Sequence, residues 1–284
     1  MLLSDFIRDG IARLETLYPS PEARGLVLML CAERLGTKDY THIIEPLTPI
    51  PAEREAELKD DLRRLCAGEP IQYVLGVTEF CDRRFAVGPG VLFPRPETEQ
   101  LVARGVNVLR EMDLERPPQV LDLCTGSGCI AWSIALEIRD AEVIGVDLSE
   151  TALAYASNQF GVSGPLFMMT DVLDTEQDFQ YGPFDLIVSN PPYVRESERA
   201  LMRPNVLEHE PPLALFVPDD DPLRFYRAVA RWAQRFLRPG GVGIVEINEA
   251  LGDETARVFR DAGYENVQKL LDFAEKVRFI QFSD

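Results

Sequence analysis

The chain has 284 residues, is 46% hydrophobic and carries a formal net charge of −18. Its length suits one large domain, or one large and one small domain. The acidic excess argues against a partner bound mainly through phosphates, because such binding depends on clustered Lys and Arg. We therefore expect no nucleic-acid partner.

Features of the whole sequence predict a cytoplasmic monomer. No apolar run is long enough to cross a membrane, and the start MLLSDFIRDG lacks the basic and apolar regions of a signal peptide. The five cysteines show no C-x-x-C spacing, which is typical of a reduced protein. With only His42 and His209, we expect no metal site.

The first part of the chain has helical periodicity. Ser4 and Asp5 are placed to cap the first helix, and Pro21 to lie in the first turn of the second. A third, amphipathic helix is predicted to end at Gly68. These signals predict a small helical bundle over residues 1–72.

Alternation of apolar and polar residues begins at Tyr73 and continues to about Leu92. This pattern predicts two strands, with Asp82 and Arg83 in the turn between them. We predict a β-hairpin linker over residues 73–95.

From about Pro96 short apolar strands alternate with helices. The predicted strands start at Val120, Glu142, Leu166, Phe184, Val242 and Val277. This order predicts an α/β domain over residues 96–284, with a parallel sheet covered on both faces. Right-handed crossovers place the carboxyl ends of the strands at one edge, where such sheets bind ligands.

A glycine-containing turn follows the first predicted strand. Gly126, Gly128 and Ala131 satisfy G-x-G-x-x-A, a pattern that lets the backbone turn sharply and approach a nucleotide. This match fits a nicotinamide oxidoreductase and a methyltransferase equally well.

Acidic residues follow the next two strands. Asp147 lies about 20 residues downstream, the usual distance for an acid that accepts from ribose hydroxyls. It is also placed to cap the next helix, but Ser149 can do that, so we favour the ribose role. Asp171 and Val172 are predicted to flank an adenine, with an ordinary turn as the alternative for Asp171.

The sharpest signal is Asn190-Pro191-Pro192-Tyr193 after the fourth strand. Consecutive prolines fix φ and leave rigid carbonyl groups. The Asn190 and Pro191 carbonyls together suit an acceptor that presents an NH₂ group, and Tyr193 can stack on a planar group or exclude water. The alternative is a turn that only ends a strand.

Methyl transfer to an amide nitrogen needs such acceptors. The lone pair of that nitrogen is delocalised, and positive charge develops on it during an in-line displacement from a sulfonium. Acceptors placed on its protons stabilise this charge, and alignment contributes much of the rest. The sequence thus predicts an S-adenosylmethionine-dependent methyltransferase that acts on an amide or amino nitrogen.

Several motifs together resemble the HemK/PrmC family of protein-(glutamine-N5) methyltransferases. They are VLDLCTGSGCIA, VDLS, FDLIVSNPPYV, HEPPLAL, GEPIQYVLGVTEF and GVLFPRPETEQLV. The resemblance implies a Rossmann-like class I methyltransferase fold with a seven-stranded, mostly parallel sheet, and an N-terminal helical domain that recognises the substrate protein. It also implies methylation of the Gly-Gly-Gln glutamine of class 1 peptide-chain release factors, with S-adenosylhomocysteine as product.

The resemblance also implies roles for individual residues, from the methionine part of the cofactor through its ribose and adenine to the glutamine slot. In that order they are Cys124, Thr125, Gly126, Ser127 and Gly128, then Asp147 and Leu148, then Asp171 and Val172, and finally Asn190, Pro191, Pro192 and Tyr193. Phe93 and Arg95 are expected near both the cofactor and the glutamine.

Other interpretations remain open. The CTGSGCIA and HEP forms also occur in enzymes that methylate a glutamine of a large-subunit ribosomal protein, and Cys124 stands where many family members carry Gly. A DNA or RNA adenine-N6 methyltransferase uses the same Asn-Pro-Pro-Tyr motif, but the acidic charge argues against it. A nicotinamide oxidoreductase leaves that motif unused, and the intact motifs argue against a cofactor-free binding module.

Overall fold

The structure is a computed structural model that describes all residues, Met1–Asp284. The chain divides into two compact units. One comprises Met1–Val77 and Arg203–His209, and the other comprises Thr78–Met202 and Glu210–Asp284. No helix combines the length and the apolar character needed to cross a lipid bilayer.

Twelve α-helices and eleven strands make up the chain. The helices are α1 Leu3–Leu14, α2 Ser20–Leu35, α3 Thr41–Ile44, α4 Ala52–Cys66, α5 Ile71–Leu75, α6 Thr98–Glu111, α7 Cys129–Glu137, α8 Glu150–Ser157, α9 Pro204–His209, α10 Pro212–Leu215, α11 Arg224–Phe236 and α12 Gly252–Asp261. The strands are β1 Val77–Phe80, β2 Arg83–Ala86, β3 Gln119–Leu123, β4 Glu142–Asp147, β5 Leu166–Met169, β6 Phe184–Ser189, β7 Val194–Arg195, β8 Phe216–Val217, β9 Leu237–Glu246, β10 Asn266–Leu271 and β11 Val277–Ser283.

The smaller unit is helical, as the periodicity predicts. Its core is an apolar cluster contributed by α1, α2, α4 and α5, and Pro21 lies in the first turn of α2 as predicted. The predicted cap of α1 is wrong. The helix begins at Leu3, its N-cap is Leu2 without a side-chain bond, and the Ser4 hydroxyl donates to the Pro46 carbonyl instead.

The predicted hairpin exists but is shorter than expected. Its strands are β1 and β2, and the turn consists of Cys81 and Asp82, both with positive φ (49° and 57°). A two-residue loop with this backbone matches the twist of the flanking strands, so Arg83 starts β2 instead of lying in the turn. The strand predicted from Tyr73 is wrong over its first residues, because Ile71–Leu75 forms a short helix that ends at left-handed Gly76.

The larger unit contains a seven-stranded sheet in the order β10-β11-β9-β6-β3-β4-β5. All neighbours are parallel except for β11, which runs antiparallel to both β9 and β10. Large apolar clusters cover the two faces, one containing α11 and α12 and the other α6 and α7. The predicted class I methyltransferase fold is confirmed.

The chain order changes direction between β3 and β6. From β3 the chain proceeds outward to β4 and β5, then returns to form β6 on the other side of β3. The loops that leave β3 and β6 therefore diverge and open a crevice at the carboxyl edge of the sheet. In open α/β sheets this switch point is where ligands bind.

Candidate active site

A cavity of about 390 Å³ lies at the switch point. The loops after β3, β4, β5 and β6 all contribute to its wall, which is mostly apolar. The predicted site residues in that wall are Cys124, Gly126, Asp147, Leu148, Asp171, Val172, Asn190 and Pro192. The topology thus brings together residues from four separate strand ends, as the sequence predicts.

Seven predicted residues do not line the cavity. They are Phe93, Arg95, Thr125, Ser127, Gly128, Pro191 and Tyr193. Conversely, the sequence analysis does not predict part of the wall. It includes the segment 90–92, Ser149, Ala152, Thr170 and Leu173, Pro211, Leu213, Ala214 and Phe216 around α10, and Arg224 with Phe225 at the start of α11.

The turn after β3 is held in a left-handed path. Cys124, Gly126 and Gly128 all have positive φ (62°, 56° and 77°). A Cβ at Gly128 would lie 2.9 Å from both Ala156 and Phe167, so only glycine fits there. A Cβ at Gly126 would meet no atom within 4 Å and would point into open space, so this glycine leaves room for a ligand.

Asp122, the last residue but one of β3, anchors this turn to the strand. It is fully buried, and its Oδ2 accepts from the Thr125 hydroxyl (2.6 Å) and the Ala131 amide (3.2 Å). Its Oδ1 has no partner. Burial raises the pKa of Asp122 to about 7, against an ordinary value of 3.8. The sequence analysis missed this residue, although a carboxylate inside an apolar strand is a visible signal.

Asp147 at the end of β4 is tied to the same turn. Its Oδ2 accepts from the Gly126 amide and its Oδ1 from the Ser149 amide, each at 2.9 Å. Burial raises its pKa, and these two amide bonds oppose the shift. Ser149 caps α8 by accepting from the Ala152 amide, which confirms the predicted cap and leaves Asp147 at the cavity wall.

The residues after β5 are fixed by two hydrogen bonds. The Asp171 carboxylate accepts from the Leu173 amide (2.9 Å), which makes a local turn, and Asp171 also lines the cavity. The Val172 carbonyl accepts from the buried indole of Trp232 (2.9 Å). Val172 is thereby anchored to α11 and offers an apolar surface to the cavity.

The Asn-Pro-Pro-Tyr segment leaves β6 at the opposite side of the crevice. The Asn190 side-chain amide nitrogen donates to the Thr98 hydroxyl (3.2 Å), and both prolines are buried. The Tyr193 hydroxyl donates to Glu246 (3.0 Å) at the end of β9. Burial, and next the charge of Glu246, raise the Tyr193 pKa well above its ordinary value, so the phenol stays protonated.

Phe93 and Arg95 lie behind the wall instead of in it. The Arg95 guanidinium stacks on the Phe93 ring at 4.2 Å and donates to both carboxylate oxygens of Glu210 at 2.6 Å. The Glu210 side chain is completely buried, and burial raises its pKa while Arg95 opposes that shift. Because Pro211 follows directly and lines the cavity, this pair fixes one wall of the site.

The fold, the cavity at its switch point and the similarity to known proteins together give the class of protein, an S-adenosylmethionine-dependent methyltransferase. The fold resembles the solved 16S rRNA N2 G1207 methyltransferase of T. thermophilus, in complex with AdoMet and guanosine, with a TM-score of 0.51 and 20% identity over 73% of this chain and 49% of that one. The profile of the methyltransferase small domain matches residues 102–208, and that of the PrmC N-terminal domain matches residues 5–76.

Curated relatives give the family. A release factor glutamine methyltransferase of Bacteroides thetaiotaomicron is 42% identical over 280 residues, which is 98% of both chains. Another from Flavobacterium psychrophilum is 34% identical over 286 residues, which is 99% of both chains. This chain belongs to the family of release factor glutamine methyltransferases.

Asp122 should make stability depend on pH. Between about pH 4 and 7 the folded protein retains a proton that the unfolded chain releases, so the Asp122 contribution to stability falls as pH rises to about 7 and is constant above it. Asp122→Asn removes this ionisation. We predict that the Tm of the variant minus that of the wild type increases from pH 5 to about pH 7 and then levels off. Exposed Asp140→Asn is the control for loss of one charge. A Tm difference for Asp122→Asn that is independent of pH would contradict this assignment.

Proposed function

We propose that this chain transfers the methyl group of S-adenosylmethionine to the side-chain amide nitrogen of the glutamine in the Gly-Gly-Gln motif of class 1 release factors. One observation identifies the atom that would bind the substrate amide. Asn190 lines the cavity, and its amide nitrogen is already engaged by Thr98. The amide oxygen is therefore the atom available to a substrate NH₂ group.

The cavity suits the cofactor. The Gly126 surface is open where a ligand must approach closely, Asp147 provides carboxylate oxygens for ribose hydroxyls, and Val172 provides an apolar surface for adenine. We assign the methionine part to the turn at Cys124 and Gly126. When bound, S-adenosylmethionine supplies a sulfonium methyl group that is open to in-line attack.

The other residues predicted to bind the cofactor fall into two groups, those that line the cavity and those that do not. Leu148 and Asp171 line the cavity beside the proposed ribose and adenine positions. Thr125, Ser127 and Gly128 act from outside the wall. The Thr125 amide donates to the Val146 carbonyl, and the Thr125 carbonyl accepts from the Gly128 amide. These two hydrogen bonds fix the path of the turn.

The proposed glutamine slot lies across the crevice. The Asn190 amide oxygen accepts one amide proton, which aligns the nitrogen and stabilises the positive charge that develops on it. The Pro191 carbonyl, predicted to accept the second proton, belongs to a residue that does not line the cavity. Pro192 lines the slot, and Tyr193, which does not line the cavity, supports it through the bond from its hydroxyl to Glu246. No general base is needed before transfer, since the N–H becomes acidic only as the new bond forms.

Recognition of the whole release factor needs more than this slot. We propose that the helical N-terminal domain, predicted over residues 1–72, binds the substrate protein. The net charge of −18 is compatible with electrostatic attraction of a basic protein surface. We further propose that the enzyme acts as a cytoplasmic monomer and binds no nucleic acid.

The substrate can be tested directly. Purified enzyme with labelled S-adenosylmethionine should methylate a class 1 release factor on the Gly-Gly-Gln glutamine, located by mass spectrometry of the proteolysed product. A release factor with Gly-Gly-Ala at that motif is the matched control and should remain unlabelled. Labelling of a large-subunit ribosomal protein in place of the release factor would refute the proposed substrate.

The two ends of the pocket should respond differently to mutation. We predict that Asn190→Ala lowers kcat by about 10²–10³-fold, as loss of a transition-state hydrogen bond does, and leaves S-adenosylhomocysteine affinity within about twofold. Asp147→Ala should weaken that affinity by about tenfold or more, since hydrogen bonds to a charged group are lost. Calorimetry and single-turnover kinetics measure both effects, and exposed Asp140→Ala is the control for charge. The reverse pattern would show that the two ends are assigned wrongly.

A further inference from the structure

A buried hydroxyl from a distant helix contacts the amide of Asn190. Thr98 is the first residue of α6 and is only 1% exposed. Its Oγ1 accepts from Asn190 Nδ2 at 3.2 Å and donates to Glu246 Oε2 at 2.8 Å. Glu246, the last residue of β9, is also 1% exposed. These three side chains form a continuous hydrogen-bonded chain from the core to the cavity.

The donor and acceptor roles along these hydrogen bonds are fixed by Glu246. A hydroxyl has one hydrogen, and an ionised carboxylate can only accept. Glu246 receives the Thr98 hydroxyl at one oxygen and the Tyr193 hydroxyl (3.0 Å) at the other. Once Thr98 has donated to Glu246, only its lone pairs remain for Asn190. Asn190 must therefore present its NH₂ group to Thr98.

Burial disfavours the charged form of Glu246, and three neighbouring groups favour it. Burial raises the pKa of this carboxyl, and the bonds from Thr98 and Tyr193 oppose that shift, as does the charge of Arg278. Hydrogen bonds donated to a carboxylate favour its charged form. Thr98, Tyr193 and Arg278 thus favour the carboxylate form of Glu246, which is the form that accepts from Thr98.

Thr98 does not have the ordinary role of a threonine at a helix start. The N-cap of α6 is Glu97, which makes no side-chain cap bond, and the Thr98 amide donates to the Arg95 carbonyl. The Thr98 hydroxyl is directed to Glu246 and Asn190, not to the backbone of the helix. This gives a purpose to the threonine of the Pro-Glu-Thr-Glu motif, for which the cofactor and substrate assignments have none.

We infer that Thr98 and Glu246 are positioning residues that hold the Asn190 amide with its oxygen toward the cavity. This inference rests on the proposed function, in which that oxygen accepts a proton of the substrate amide. A flipped Asn190 would present its NH₂ group to the substrate NH₂ group, so an acceptor would be lost and two donors would oppose each other. The effect of Thr98 on catalysis passes through Asn190.

Thr98→Val tests this role because it preserves shape and removes the hydroxyl. We expect kcat for release-factor methylation to fall about tenfold, the cost of about one hydrogen bond. S-adenosylhomocysteine affinity and KM for the release factor should stay within about twofold. Thr98→Ser keeps the hydroxyl and should retain kcat within about twofold. Thr255→Val is the matched control, since Thr255 is fully buried and its hydroxyl has no partner.

A double-mutant cycle separates positioning from a structural role. If Thr98 acts only through Asn190, Thr98→Val should cause no further loss of single-turnover rate in the Asn190→Ala background. Thr98→Ala carries the same expectation and replaces Thr98→Val if the valine variant does not fold. An equal loss in both backgrounds, or unchanged kcat in the single variant, overturns the inference. Wild-type enzyme that leaves the release factor unmethylated overturns the proposed function itself.

Discussion

The divergence of the loops after β3 and β6 is the constraint on which the rest of the site depends. Parallel neighbours share a carboxyl edge, and the reversal of strand order between these two opens a crevice that backbone alone cannot fill. The glycine turn then lies on one side and Asn190 on the other. Cofactor and acceptor binding are thus assigned to opposite walls of one cavity, as an in-line transfer requires.

Buried and half-buried acids hold those walls in place. Asp122 fixes the glycine turn, Asp147 joins it to β4, Glu210 anchors the wall at Pro211, and Glu246 receives Thr98 and Tyr193. Each accepts directed hydrogen bonds or an ion pair, which offsets part of the cost of burial, although Asp122 Oδ1 has no partner. Rigid supports of this kind are what an enzyme needs when alignment and fixed dipoles, not a strong base, accelerate the reaction.

Much of the fold could be predicted, because the central strands β3, β4 and β6 are buried and read as short apolar runs. The edge strand β10 could not, since most of its residues are exposed and half of them are polar. The sequence analysis does not predict helix α6, which begins at Thr98 inside the GVLFPRPETEQLV motif. Tyr73 was assigned to a strand because a short helix of five residues shows too little periodicity to be distinguished.

Site residues could be predicted where they lie at the carboxyl end of a strand in the sequence. Asp147 and Asn190 each end a strand, so the topology brings them to the cavity. Thr98 and Glu246 could not be assigned, because they are 148 residues apart and meet only in the folded protein. Arg95 was expected near the cofactor, but its charge is engaged by Glu210, 115 residues away.

A crystal structure of the enzyme with S-adenosylhomocysteine and a Gly-Gly-Gln peptide tests the central claim most directly. We predict that the glutamine amide nitrogen lies within about 3 Å of the Asn190 amide oxygen, on the side that faces the cofactor sulfur. A complex in which that oxygen faces Thr98, or in which the glutamine amide is bound by other groups, would contradict it.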